Sequence, residues 1–145
     1  MCGIVGLFLK DKSLEADLGR MLSEMLVTMT DRGPDSAGIA IYNAHSAGQA
    51  KVTVQADNPQ DEFAGLDKKL GAAIGAPVSI DVRDTHAVLS LPAAKLDAAM
   101  TELRTLDPAV RIMGRGDSIE IYKEVGLPES VVRRFNIEKD RKSVV

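Results

Sequence analysis

The sequence of 145 residues predicts an α+β fold. Three observations support this prediction. A segment near the N-terminus has the apolar periodicity of a helix, short apolar or alternating segments around it have the character of strands, and residues 78–124 follow the order strand, helix, strand, strand. The length fits one domain of ordinary size, or a core unit that carries a modest insertion.

Composition and charge exclude several classes of function. Apolar residues make up 45% of the chain and aromatic residues only 3%, so the core must consist mainly of Leu, Ile, Val, Met and Ala. The formal net charge of −3 argues against a nucleic-acid-binding protein, because neutralising phosphates requires clustered positive charge. One Cys and two His are too few for a four-ligand structural zinc site, and we expect no metal site.

Segments that would direct the chain to a membrane are not evident. No apolar run approaches the roughly 20 residues that a membrane helix needs. The charged residues Lys10, Asp11 and Lys12 interrupt the opening apolar run, so it does not resemble a secretory signal. We therefore expect a cytoplasmic protein that does not associate with a membrane.

The first elements are a strand and a helix. Residues 1–9 form a short apolar run with β-branched members, which predicts a buried strand. Between Ser13 and Gly33, apolar residues recur at spacings of three and four, which predicts one face of a helix of about five turns. Ser13 is the expected N-cap, and Gly33-Pro34 is expected to end the helix.

Two further strands follow before the pattern changes. Residues 37–42 are apolar and predict a second buried strand, whereas residues 51–55 alternate in the way of a half-buried strand. A turn is expected between them at residues 43–49. Residues 56–60 contain Asp, Asn and Pro, which indicates a connector.

The next part of the chain predicts a helix and two strands. Residues 61–74 have helical character, although Gly65 and Gly71 weaken that prediction. Residues 78–82 and 85–91 predict strands.

A second helix is expected to start at Pro92, which suits a first helical position, and to run to about Leu106. Beyond it, residues 110–113 and 118–122 alternate on either side of Gly114-Arg115-Gly116-Asp117, a pattern typical of a β-hairpin.

The end of the chain differs from the rest. Residues 128–135 predict a short helix, and five consecutive charged residues begin at Glu138. We therefore expect three segments: an N-terminal part (1–56), an inserted α+β unit (57–135) and a charged, disordered tail (136–145).

Cys2 is the most informative residue for chemistry. Removal of Met1 would leave a cysteine that carries a free α-amine, whose reference pKa is about 7.7–8.0. One residue would then supply both a nucleophile and a base, which is the principle of N-terminal nucleophile catalysis. The alternative is that Cys2 is a small buried residue without a chemical role.

A second candidate site is the segment Arg32-Gly33-Pro34-Asp35-Ser36-Ala37-Gly38, between the predicted helix and a predicted strand. Binding groups often occupy such loops. The alternative is structural: a helix end and a turn, with the arginine paired to a nearby carboxylate.

Taken together, the two segments resemble a known family. Cys2-Gly3-Ile4-Val5-Gly6 at the N-terminus, followed roughly thirty residues later by the Arg-Gly-Pro-Asp-Ser-Ala-Gly segment, resembles the class II glutamine amidotransferases. This family has the αββα fold of N-terminal nucleophile hydrolases. The resemblance covers residues 2–42 and extends to about Gln55, so segment 1–56 would be the first part of that domain. The second motif is most similar to glutamate-synthase-type amidotransferases, including the amidotransferase subunit of N-methylglutamate synthases.

The resemblance implies a mechanism. Cys2 would attack the side-chain amide of glutamine, with its own amine moving the proton, and would form a γ-glutamyl thioester. Ammonia would pass to a synthase subunit or domain, and water would release glutamate. Arg32 and Gly33 match the motif that lines the nucleophile's pocket and would bind the substrate. No cofactor is implied for this chain.

The sequence also departs from the family. The Asn-Gly pair that supplies oxyanion donors is absent, and the nearest match to the family's Gly-His-Thr-Arg-like loop, Asp84-Thr85-His86-Ala87, lacks the arginine. We therefore expect impaired activity of the chain alone, and a truncated or frameshifted product or one half of a split subunit. The alternative function is a non-catalytic α+β module, residues 61–126, that binds a small molecule or another subunit.

Overall fold

The computed structural model describes residues 3–42 and 46–139. The chain divides into two compact units: unit 1 contains residues 1–44 and 121–145, and unit 2 contains residues 45–120. Unit 2 is therefore an insertion in the sequence of unit 1. None of the helices in the described ranges is long and apolar enough to span a membrane.

Unit 1 begins with a segment that has no regular secondary structure. Residues 3–9 form neither a helix nor a strand. Ile4 is 97% exposed and Phe8 is 66% exposed. The prediction of a buried strand is thus wrong for these residues, and residues 1 and 2 lie outside the described part of the chain. A strand needs a neighbour that accepts its backbone hydrogen bonds, and a local apolar pattern cannot supply one.

The predicted N-terminal helix is confirmed in position but is not uniform. A 3₁₀ turn (Lys12–Asp17) leads into helix α1 (Leu18–Thr28), and a second 3₁₀ turn covers Thr30–Arg32. The cap is Asp11 rather than Ser13: the carboxylate of Asp11 accepts a hydrogen bond from the backbone N–H of Ser13 at 2.9 Å.

Two strands form the sheet of unit 1. Strand β1 (Ser36–Tyr42) pairs with strand β6 (Ile119–Val125). The N–H of Gly126 donates to the carbonyl of Asp35 at 2.9 Å, and Gly38 lies against Lys123, so the two strands run antiparallel. The chain leaves unit 1 after β1 and returns at β6, so the insertion joins two adjacent strands.

The C-terminal helix α5 (Pro128–Arg134) and a 3₁₀ turn (Ile137–Lys139) complete unit 1 and contact α1. This confirms the predicted helix at 128–135. The ring centroids of Tyr122 and Phe135 are 5.0 Å apart. Among the residues of unit 1 that the structure describes, the buried apolar side chains include Leu18, Leu22, Ile39, Ile41, Tyr122, Val131, Val132, Phe135 and Ile137.

Unit 2 consists of one four-stranded antiparallel sheet and its helices. Its elements in chain order are β2 (Gln49–Gln55), α2 (Pro59–Glu62), α3 (Leu66–Ile74), β3 (Ser79–Arg83), β4 (His86–Pro92), α4 (Leu96–Leu106) and β5 (Arg111–Gly116). The strand order is β3-β4-β2-β5, and every neighbouring pair is antiparallel. This is the split βαβ arrangement of ferredoxin-like folds.

A single apolar cluster stabilises unit 2. Helices α3 and α4 contact each other. The cluster joins their apolar faces to strands β2 and β4. In the pairing of these strands, Val52 lies opposite Leu89 and Val54 lies opposite Ala87. Its buried members are Val52, Val54, Ala56, Phe63, Leu66, Leu70, Ile74, Ala87, Leu89, Leu91, Ala99, Leu103 and Val110.

Three local predictions for residues 61–122 are wrong in part. The predicted helix at 61–74 is divided, because Gly65 adopts a left-handed conformation (φ 67°) before α3 begins. Pro92 ends β4 instead of starting a helix. The strands of the predicted hairpin exist, but β5 pairs with β2 and β6 pairs with β1, so they belong to different sheets.

The boundaries of the inserted unit also differ from the sequence-based expectation. Strand β2, expected in the segment 1–56, lies between β4 and β5 in the sheet of unit 2. Residues 121–135, expected in the insertion, belong to unit 1. Both differences have one cause: strand partners far apart in sequence, which local periodicity does not specify, determine the unit to which a strand belongs.

Candidate active site

Cys2 lies outside the described residues, but its chain neighbour Gly3 is described. Gly3 packs closely against Met29 and Arg32, at the 3₁₀ turn that begins the candidate loop. A side-chain carbon placed on Gly3 would lie 3.4 Å from both Cβ and Cδ of Arg32, and it would overlap the end of the Met29 side chain. The absence of a side chain at Gly3 therefore permits this close approach.

Arg32 is the last residue of the second 3₁₀ turn. Its backbone N–H donates to the carbonyl of Met29 at 2.9 Å, which fixes the main chain at this position. The residue is exposed. Within the described ranges, its guanidinium makes no hydrogen bond or ion pair. The structural alternative predicted that Arg32 pairs with a nearby carboxylate. The described residues show no such pair.

Gly33 follows with a negative φ (φ −159°, ψ 73°), so the turn does not depend on left-handed geometry. Its N–H donates to the carbonyl of Thr30 at 3.2 Å. A side-chain carbon at Gly33 would meet only the carbonyl of Ser36, at 3.8 Å. The glycine therefore leaves open space beside Arg32, while its own N–H is already used inside the turn.

The remainder of the candidate loop is attached to the sheet of unit 1. The carbonyl of Asp35 accepts the hydrogen bond from Gly126, and Ser36 is the first residue of β1. The loop is therefore held at one end by the 3₁₀ turn and at the other by the two-stranded sheet.

The segment Asp84-Thr85-His86-Ala87 covers the connection between β3 and β4 and the first two residues of β4. Asp84 and Thr85 make the tight turn, with Asp84 at a φ of 56°. His86 is fully buried, and its Nδ1 lies 3.0 Å from the hydroxyl of Thr85. Within the described residues, no group of three or more His, Cys, Asp or Glu side chains is placed to bind a metal ion.

A partly buried ion pair in unit 2 was not predicted from the sequence. The ammonium of Lys51 lies 2.6 Å from a carboxylate oxygen of Glu120, and these side chains are 20% and 5% exposed. The sequence shows only that each residue is a charged member of a predicted alternating strand, Lys51 in residues 51–55 and Glu120 in residues 118–122. Nothing in the sequence indicates that residues 69 positions apart would meet.

Comparison with known proteins places these features in a wider context. No family model matches the sequence. Over 137 residues, which are 94% of the chain and 45% of the relative, it is 57% identical to the glutamine amidotransferase-like protein GlxB of Rhizobium meliloti. It is also 27% identical, over 94% of its length and 47% of the relative, to a candidate glutamine amidotransferase of Methanothermobacter thermautotrophicus.

The chain thus spans about half the length of the curated relatives it matches. The matched region is long enough to include most of both units. These similarities support a glutamine amidotransferase-like family, as the sequence motifs predicted.

Proposed function

We propose that this chain is the nucleophile-bearing part of a class II glutamine amidotransferase with an N-terminal nucleophile hydrolase fold. The observation that carries the proposal is the proximity of Gly3 to Arg32: a side-chain carbon placed on Gly3 would lie 3.4 Å from the Arg32 side chain. Gly3 is covalently joined to Cys2, and consecutive Cα atoms are about 3.8 Å apart. The proximity of Gly3 to Arg32 supports a common site for the two sequence motifs. The 57% identity to a glutamine amidotransferase-like protein supports the same function.

Cys2 supplies the nucleophile once Met1 is removed. Its thiol proton passes to the free α-amine, and the sulfur forms a bond to the side-chain carbonyl carbon of glutamine. The C–N bond then breaks, and the leaving nitrogen takes the proton back and departs as ammonia. Water cleaves the resulting thioester, which releases glutamate and restores the thiol. The ammonia serves a synthase subunit or domain.

Arg32 binds the substrate in this proposal. Its exposed guanidinium has no partner in the described part of the chain, and a guanidinium can hold a carboxylate through two parallel hydrogen bonds. Gly33 leaves the space in which the substrate lies against the backbone.

The tetrahedral intermediate needs hydrogen-bond donors, and the Asn-Gly pair that supplies them in the class II family is absent from this sequence. The N–H of Gly33 already donates to Thr30. Loss of one oxyanion donor typically costs roughly 10²–10³ in rate. We therefore propose that the chain alone hydrolyses glutamine weakly.

Two measurements test the proposal. Intact-protein mass spectrometry should show loss of Met1, and alkylation of Cys2 by iodoacetamide should be slowed by glutamine and not by asparagine. Arg32→Gln should abolish this protection, whereas Arg133→Gln, at an exposed arginine paired with Glu129, should leave it intact. Retention of Met1, or alkylation that glutamine does not affect, would remove Cys2 from the mechanism.

Glutamate release provides the functional control. Wild-type protein should release glutamate slowly, and Cys2→Ala should release none. Equal release by both proteins would contradict the assignment.

A second candidate function is a non-catalytic binding module. The observation that favours it is the complete four-stranded sheet and apolar cluster of unit 2, which includes most of residues 61–126. It would gain support if the alkylation and glutaminase experiments both failed.

A further inference from the structure

Three arginines line one open cleft in unit 2. The cleft has a volume of about 500 Å³ and lies between α4 and β5. Arg104 reaches it from the helix, and Arg111 and Arg115 reach it from the strand; its apolar wall includes Met100 and Ile112. No Asp or Glu is among the residues that line it. Its volume is within the range of small-molecule sites.

The three guanidinium groups differ in how they are held. Arg104 makes no hydrogen bond or ion pair with any residue in the described ranges. Arg115 pairs with Asp97 at 3.2 Å, but the Asp97 side chain is 97% exposed, so water competes strongly for this contact. Arg111 is oriented by both carboxylate oxygens of Asp57, at 2.6 and 3.0 Å. Arg111 is thus held in place by Asp57, whereas Arg104 and Arg115 are available to a ligand.

The strand that carries two of these arginines is shaped locally at the cleft. In the pairing of β2 with β5, Val54 lies opposite Ile112 and Thr53 lies opposite Gly114. Met113 is therefore an extra residue, and it forms part of the cleft lining. Such bulges redirect neighbouring side chains and are common beside binding sites and at sheet edges.

Protection of a sheet edge accounts for only part of this arrangement. Strand β5 is at the edge of the sheet, and arginines and a bulge on an edge strand discourage pairing with another chain. That role requires charges on β5 alone. Arg104 comes from α4 instead, and it brings a third cation to the same cleft in a chain whose net charge is −3.

We propose that this cleft binds a small organic anion with two or more phosphate or carboxylate groups. Guanidinium groups hold either kind of anion through paired hydrogen bonds. The methionine and isoleucine side chains contact the carbon skeleton of the ligand. The site belongs wholly to unit 2 and involves neither Cys2 nor Arg32.

The experiment is calorimetric titration of the full chain with pyrophosphate and, separately, with citrate. At least one should bind, and binding should weaken as sodium chloride is added, because exposed charges are screened. Tighter binding of pyrophosphate would identify a phosphate ligand, and tighter binding of citrate a polycarboxylate. Cys2→Ala should bind equally well, so this test is independent of the amidotransferase proposal.

Variants test whether the cleft is the site. Arg104→Gln should raise the dissociation constant about tenfold, as expected for loss of a charged hydrogen bond. The matched control is Arg83→Gln on β3, at the opposite edge of the same sheet, where the arginine pairs with Asp81 at 3.0 Å. This variant should bind as the wild type does. Circular dichroism should show both variants folded.

Three results would overturn the proposal. They are the absence of binding by both anions, equal weakening by Arg104→Gln and Arg83→Gln, and binding that Arg104→Gln does not change. Aggregation of Arg115→Gln without anion binding by the wild type would leave edge protection as the role of these arginines.

Discussion

The two units stabilise themselves in different ways. Unit 2 has four paired strands and a continuous cluster of buried apolar side chains. Among the described residues, unit 1 has a two-stranded sheet and relies on contacts of α1 with α5 and the last 3₁₀ turn. Its first residues, 3–9, have no regular structure. An isolated pair of strands is marginally stable in water, so we expect unit 1 to be the less stable of the two.

The comparison has a functional meaning. The candidate amidotransferase residues belong to unit 1, where the loop from Arg32 to Ser36 is held by a few backbone hydrogen bonds. Segments that bind and release substrates are generally drawn from the less stable parts of a protein. The inserted unit provides most of the close-packed core but, in our proposal, none of the amidotransferase chemistry.

The largest expected effect comes from the core of unit 2. Leu89 is fully buried, so Leu89→Ala should lower the free energy of unfolding by about 3–5 kcal/mol. Leu22→Ala in unit 1, at a residue that is 8% exposed, should cost about 2 kcal/mol. Leu14→Ala, at a residue that is 43% exposed, should cost less than about 0.5 kcal/mol. Chemical denaturation measures all three, and an equal cost at Leu22 and Leu89 would break the comparison.

Spectroscopy can separate the two units in the same experiment. Both tyrosines of the chain, Tyr42 and Tyr122, belong to unit 1, and the chain has no Trp. Tyrosine fluorescence therefore follows unit 1, whereas far-ultraviolet circular dichroism follows both units. The tyrosine transition should occur at a lower denaturant concentration. Coincident transitions would show that the units unfold together.

A smaller effect is expected from the buried ion pair of unit 2. Lys51→Met leaves the carboxylate of Glu120, whose side chain is 5% exposed, without its ammonium partner. The loss should be about 2–3 kcal/mol, below that of a fully buried pair, because Lys51 is itself partly solvated. Arg83→Gln, which breaks an exposed pair, should cost less than about 1 kcal/mol. Similar losses in the two variants would show that burial does not strengthen the Lys51 contact.

The smallest effect concerns an exposed pair and its dependence on pH. Hydrogen bonds from Arg111, and then its charge, lower the pKa of Asp57. A lowered folded-state pKa means that the pair stabilises the fold above the ordinary carboxyl pKa of about 3.9 and that this stabilisation is lost as the pH falls through the lowered value. Asp57→Asn should therefore be slightly less stable than the wild type at neutral pH. The difference should shrink below about pH 4.

Denaturation midpoints measured at neutral and acidic pH would test this prediction. A difference between the two proteins that stays constant into the acid range would mean that Arg111 does not act through the ionised carboxylate of Asp57. Added salt should reduce the difference at neutral pH, because Asp57 is exposed to solvent.

The sequence predicted most elements but few of their partners. The helix from residue 18 and the helix from residue 96 follow from apolar spacing alone, since a helix makes its hydrogen bonds within itself. Strands β3 and β4 were also found at their positions. Two predictions were wrong: the strand expected at residues 1–9, which residues 3–9 do not form, and the hairpin around Gly114. Both depend on the identity of a neighbouring strand, which a local sequence pattern does not specify.

The candidate site shows the same division. Cys2, Arg32 and Gly33 were singled out by two motifs and a family resemblance, and the described residues bring Gly3 to Arg32. The arginine cleft had no sequence signal, since its three arginines come from a helix and a strand whose contact is tertiary.

By itself, the sequence determined the α+β composition, the positions of most helices and strands, and the two motifs from which the amidotransferase proposal starts. Only the tertiary structure decided that residues 45–120 form a separate unit between two adjacent strands, and that Lys51 meets Glu120 in a buried pair. The physical reason is the distance along the chain over which each interaction acts. Helical periodicity and turn chemistry act over a few residues, whereas strand pairing and burial depend on groups that are far apart in the chain.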